Sequence, residues 1–110
     1  MSLLDYGMYT QTVTVYRRGK NGCMRRVLEG CCLQRKTNGK ADGFGYQVAD
    51  SFLLIAPGNE QLVFPGDRIK EGIGPQVNGW QDTESFLEVE YAAPFIWEGV
   101  FCHTEAGKKG

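Results

Sequence analysis

His103 is the only histidine in the chain, and it directly follows Cys102. A thiol and an imidazole in contact make a nucleophile–base pair. On a strand, adjacent side chains point to opposite faces, so this pair does not assemble locally. The other cysteines, Cys23, Cys31 and Cys32, reach His103 only through folding. With Cys102 and His103 they offer enough soft donors for zinc. Yet no C-x-x-C occurs, and Cys31-Cys32 is an adjacent pair. Reduced cysteines used as small buried hydrophobes account for them better. Glu88 and Glu90 alternate on one strand face, about 6–7 Å apart at the strand rise. That separation suits a glycosidase pair, but exposed alternation explains it fully. The 15 glycines never fall into the Walker or dinucleotide patterns. The expectation is a protein that is not an enzyme, with no catalytic residues, no cofactor and no metal.

Charge is informative in its distribution. The net charge of the 110 residues is −1. Residues 1–50 carry eight Lys/Arg and four Asp/Glu, a sum of +4. Residues 51–110 carry four and nine, a sum of −5. From Glu71 to Glu105 there is no Lys or Arg. Such a split lets the basic region of one copy face the acidic region of a neighbour. The simpler alternative is two solvated faces of one domain. Residues 17–40 hold eight Lys/Arg and one acid. That composition suits a sequence-blind contact with nucleic acid, though the interleaved aromatics of a single-strand platform are missing.

The elements that must position these groups are short strands. Thr12 to Arg17 is β-branched and aromatic, with Val13 and Val15 on one face. Asn21-Gly22 is a tight-turn signal. Cys23 to Thr37 follows as one strand interrupted at Gly30, with a bulge expected there. Residues 38–45 hold three Gly in eight positions and are expected to be an exposed loop. Tyr46–Ala49, Ser51–Ile55, Leu62–Phe64 and Arg68–Gly72 are further strand candidates, separated by Pro/Gly turns at 56–59 and 65–67. Trp80–Ser85 suits one helical turn, with Asp82 and Thr83 able to cap it. From Leu87 the chain alternates to Tyr91. Phe95–Trp97 and Val100–His103 make a last pair around Glu98-Gly99.

The fold class expected is all-β: a small barrel or sandwich of about seven or eight short strands with long Gly-rich loops. Residues 1–110 form one domain, with an arm or brief helical turn at 1–10 and a frayed polar tail at 104–110. No stretch approaches the roughly 20 apolar residues of a membrane helix. Residues 1–5 show no basic leader or apolar h-region, so a cytoplasmic place of synthesis is expected.

Three stretches, in order, carry a resemblance. They are Val13-Thr14-Val15-Tyr16-Arg17, then Arg26-Val27-Leu28-Glu29-Gly30-Cys31-Cys32-Leu33, then Phe64-Pro65-Gly66-Asp67-Arg68-Ile69-Lys70-Glu71-Gly72. The order resembles small neck proteins of tailed bacteriophages, the head-completion (stopper) and minor capsid proteins that join portal to tail. The resemblance spans roughly Thr12 to Gly72. The 38–45 loop departs from the family pattern, and Phe101-Cys102-His103 matches it only loosely. The resemblance implies a small β-barrel with long loops, no enzyme activity, and a homo-oligomeric ring in the virion neck. It implies portal or adaptor proteins and tail proteins as partners, contact with packaged DNA, no membrane, and synthesis in a bacterial cytoplasm. A tail terminator or tail-tube subunit is the alternative within the virion. A small nucleic-acid-binding barrel is the alternative outside it. The interface candidates are Tyr6 and Tyr9 in the arm, and Arg17, Arg18, Arg25, Arg26, Arg35 and Lys36 in the basic segment. Lys40, Asp42 and Phe44 in the glycine loop, and Glu88 and Glu90 on the acidic strand, complete them. The loop at 72–78 is a further contact region.

Overall fold

A computed structural model describes residues 6–20, 22–37 and 50–109. The chain is all-β. Its strands are β1 (Gln11–Gly19), β2 (Gly22–Thr37), β3 (Asp50–Pro57), β4 (Arg68–Glu71), β5 (Leu87–Glu88), β6 (Tyr91–Trp97) and β7 (Val100–Lys108). Short 3-10 turns lie at Tyr6–Met8 and Trp80–Thr83. Every pairing is antiparallel, in the order β5-β4-β1-β2-β3-β7-β6.

The sheet curls because one strand is shared by two halves of the fold. β2 is 16 residues long. Gly22–Cys31 pairs with β1, and Cys32–Thr37 pairs with β3 on the other side. The corner between them is the expected bulge. Gln11 opposes Cys31 while Val13 opposes Leu28, so β2 carries one extra residue there. Gly30 takes φ +69° in that corner, a value a Cβ disfavours. The first and last strands of the order, β5 and β6, are separated in the chain by Val89 and Glu90 alone. Val89 N–H donates to the Asp67 carbonyl, and Glu90 N–H donates to the Gly107 carbonyl, both at 2.8 Å. The chain therefore turns from the β4 side to the β7 side at this point. Sheets that share strands at bent corners enclose a core between them.

That core is Val13, Val15, Leu28, Cys31, Leu33, Phe52, Leu54, Ala56, Val63, Ile69, Val89 and Ala106. Opposed residues share a face, so Val13, Leu28, Val15 and Ile69 line the interior together. β1 is buried on its outer face too, since Thr14 and Tyr16 are fully buried. The segment 72–86 covers it. Tyr16 donates its hydroxyl to the Pro75 carbonyl at 2.6 Å and packs its ring on Phe86. Thr14 Oγ1 donates to the Gly72 carbonyl and accepts from Gly74 N–H.

Several boundaries differ from the sequence expectation. The polar tail expected to fray from Thr104 is instead the inner half of β7. It lies between β3 and β6, with Thr104 and Ala106 fully buried. Small residues suffice there because sheet neighbours on both sides supply the burial. The alternating stretch from Leu87 to Tyr91 is not one strand but is broken by the corner at Val89. Leu62–Phe64 forms no strand: Leu62 N–H goes to Thr104 Oγ1 and Phe64 N–H to the Asp67 carboxylate. β1 runs on to Gly19, so Arg17 and Arg18 are strand residues. The 3-10 turn at Trp80 begins after Gly79, whose N–H donates to Asp82 Oδ2 at 3.3 Å, so Asp82 caps from inside the turn. Asn21, the glycine loop at 38–45 and the strand candidate Tyr46–Ala49 lie outside the described residues.

Cys31 makes the core pH-sensitive on the alkaline side. Burial, helped by Cys32, pushes its thiol from 9.0 up to about 11. A raised acid favours the protonated fold, so this contribution is complete below pH 9 and lost between pH 9 and 11. The loss amounts to about 2–3 kcal/mol. The urea midpoint is expected to fall over that window. In Cys31→Ala the slope should be shallower by that amount, and an unchanged slope would show that Cys31 does not govern it.

Candidate functional site

Two surfaces stand out, one on each half of the fold. The first is built around the Pro65-Gly66-Asp67 turn. Gly66 has φ +92° and Asp67 N–H returns to the Phe64 carbonyl at 3.1 Å, a type II arrangement with Pro at its second position. The turn is pinned from both sides. Gly66 N–H donates to the Val89 carbonyl at 2.8 Å. Asp67, 2% exposed, accepts Arg17 Nε at 3.0 Å and a terminal Arg17 nitrogen at 2.8 Å. It also accepts Phe64 N–H at 2.9 Å. This pairing holds the Arg17 guanidinium above its usual pKa, against the opposing effect of burial. The guanidinium also lies 4.4 Å over the Phe64 ring.

Beside this knot runs a groove of about 590 Å³ lined by Arg17, Arg18, Phe64, Arg68, Trp80 and Glu88, among others. Arg68 lies 4.4 Å over the Trp80 ring, donates to Thr83 Oγ1 at 2.9 Å and reaches Glu88 at 3.7 Å. Arg17 and Arg68 thus each carry a carboxylate and an aromatic partner. Arg18 is exposed and has no carboxylate partner among the described residues.

The second surface is the tip of the β6–β7 hairpin. Ile96, Trp97 and Val100 are 56%, 47% and 63% exposed. Between them, Glu98 and Gly99 take φ +49° and +79°, the signature of a two-residue primed turn. Glu98 is the only non-glycine among the described residues with positive φ. A Glu there is strained by about 1 kcal/mol relative to residues that accept this region. Glu98→Asn is therefore expected to raise thermal stability by about 0.5–1 kcal/mol. A loss of stability in that variant would mean that the carboxylate is held by contacts within the chain.

The sequence-derived candidates distribute differently from a single patch. Tyr6 and Tyr9 do not form a free arm. Tyr6 packs its ring tilted against Tyr9 at 5.6 Å, and its hydroxyl meets His103 Nδ1 at 2.5 Å. His103 is buried at 3% exposure, lies parallel to Phe95 at 4.6 Å, and reaches Glu105 Oε1 from Nε2 at 3.2 Å. Burial, with Cys102, Tyr9 and Glu105 nearby, pushes the Tyr6 phenol up. Cys102 sits at a register shift in β7, opposite Phe95–Ile96, so strict alternation between Cys102 and His103 does not hold. Its sulfur contacts the Val100 carbonyl at 3.4 Å.

Arg25 is committed to the Gly74 carbonyl at 2.6 and 2.9 Å, holding the 72–86 cover. Arg17 opposes Met24 while Tyr16 opposes Arg25, which puts Arg17 and Arg26 on one face and Arg18 and Arg25 on the other. The basic segment therefore does not make one surface. Arg35 and Lys36 do join Lys108 and Lys109, two residues of the stretch expected to be a tail. A groove of about 480 Å³ is lined by Arg35, Lys36, Lys108 and Lys109, with Tyr91 and Phe52. Pairing of Arg35 with Phe52, and of Phe52 with Lys108, brings them together. Glu88 and Glu90 are both exposed, and Glu88 is taken up by Arg68. Lys40, Asp42 and Phe44 lie outside the described residues. Among the described residues no three His, Cys, Asp or Glu are grouped to hold a metal ion, and no helix is long and apolar enough to cross a membrane. Comparison with known proteins finds no matching family model, no matching curated protein and no matching solved structure.

Proposed function

We propose that the chain is a structural, non-enzymatic subunit of the head–tail neck of a tailed bacteriophage. It forms a ring between portal or adaptor and tail, and helps retain packaged DNA. The observation that carries this reading is the Pro65-Gly66-Asp67 knot. The motif of the resemblance forms a turn at the surface of the curled sheet, where the Arg17–Asp67 pairing borders an exposed groove. The apolar hairpin tip adds a surface that a lone soluble domain has little reason to expose. A tail terminator is the alternative position within the virion.

A nucleic-acid contact has its own support. Among its described lining residues, the groove that holds Lys36, Lys108 and Lys109 has no Asp or Glu. Within a neck ring these residues are the ones to face DNA.

Cosedimentation separates the readings. The protein is mixed with DNA-filled tailless capsids, with free tails, and with duplex DNA over a salt series. A neck subunit sediments with the capsids, and a terminator with the tails. A free-standing nucleic-acid protein binds the duplex with affinity falling steeply as salt rises and ignores both particles. That last result would overturn the neck reading.

A further inference from the structure

We infer that the β6–β7 tip of one copy docks into the Arg18 groove of a second copy, in a head-to-tail contact. This rests on the ring reading above and specifies its contact. The two surfaces lie on different halves of the fold, so each copy offers both a donor and an acceptor site. Contacts of that type are heterologous and close into rings when the rotation between copies allows.

Three observations select a second copy as the occupant. The first is charge. The tip presents Glu98 at its point, and the groove presents Arg18, which pairs with no carboxylate among the described residues, while the groove's Asp67 and Glu88 are taken up by Arg17 and Arg68. The second is surface chemistry. Ile96, Trp97 and Val100 flank Glu98, and Phe64 and Trp80 wall the groove. Phe64 is itself 40% exposed. An apolar rim around a single ion pair excludes water from it and raises its worth. The third is strain. The left-handed conformation of Glu98 favours Asn or Gly. A Glu kept there at a cost to stability points to a use for its carboxylate outside the fold.

A charge swap tests this. Sedimentation velocity of the full-length wild type over a rising concentration series is expected to show self-association. Glu98→Arg and Arg18→Glu alone should each weaken it by about tenfold or more, since like charges then meet. An equimolar mixture of the two variants should recover it, because each tip then finds a groove of opposite sign. Trp97→Ser should weaken association in the mixture as in the wild type. Circular dichroism and urea midpoints check that each variant folds; all three side chains lie at the surface. A wild type that stays monomeric throughout overturns the contact, as does unchanged association in the single variants or a mixture that fails to recover. The neck reading fails separately. If wild type and Glu98→Arg both bind tailless capsids equally, the contact is wrong and the neck assignment stands. If the swap restores association in a protein that ignores capsids, the contact stands and the neck assignment falls.

Discussion

Asp67→Ala is expected to cost about 2–4 kcal/mol of folding stability, a large share of what a domain this size has. The carboxylate is buried, and its removal strands the Phe64 N–H and breaks both bonds from Arg17. Arg17 itself is 39% exposed at its side chain and can turn to water, which keeps the cost below that of a fully buried pair. Arg17→Ala is expected to cost at least as much. It removes both side-chain donors of a carboxylate that is 3% exposed in the folded chain and leaves it one backbone donor. An exposed surface arginine would normally cost well under about 1 kcal/mol. Arg17→Lys should fall between, because an ammonium cannot reproduce the two-point geometry. Urea midpoints of the three variants decide the matter. An Arg17→Ala cost within surface-residue range would show that Asp67 is satisfied without it.

The second large effect concerns Tyr16. Tyr16→Ala is expected to cost about 3–5 kcal/mol, the range for removing a buried aromatic ring. Among the described residues Tyr16 is the largest fully buried side chain, and it anchors the segment 72–86. Tyr16→Phe keeps the ring and loses the bond to the Pro75 carbonyl, at about 1 kcal/mol. The effect should be local before it is global. Trp80 stands in the middle of the same segment, so its emission in a Trp97→Phe background should move toward that of exposed indole in Tyr16→Ala. Trp80 emission unchanged at temperatures where the variant is folded would show that the groove wall is held by Arg68 and Thr83 alone.

Much of this fold was legible in the sequence because its signals are local. Thr12 to Arg17 alternates with the strand period, Pro65-Gly66-Asp67 is a turn by composition, and Gly30 marks a bulge. What escaped was decided by partners far along the chain. Thr104 to Lys108 has the composition of a tail, and only β3 and β6 make it an inner strand. Lys108 meets Arg35 and Lys36 for that reason, so half of the basic groove was invisible locally. Arg17 counts as surface charge until Asp67, 50 residues away, is seen to bury against it. Tyr6 belongs to an arm until it meets His103, 97 residues on. The Glu98-Gly99 turn was readable, but its strain and the exposure of Trp97 beside it belong to the folded chain.

The most direct measurement is electron microscopy of the portal vertex of DNA-filled tailless capsids mixed with the purified protein. A neck subunit adds a ring of density coaxial with the portal, built from copies in head-to-tail contact. A bare vertex, under conditions where the protein is folded and in excess, would contradict the account.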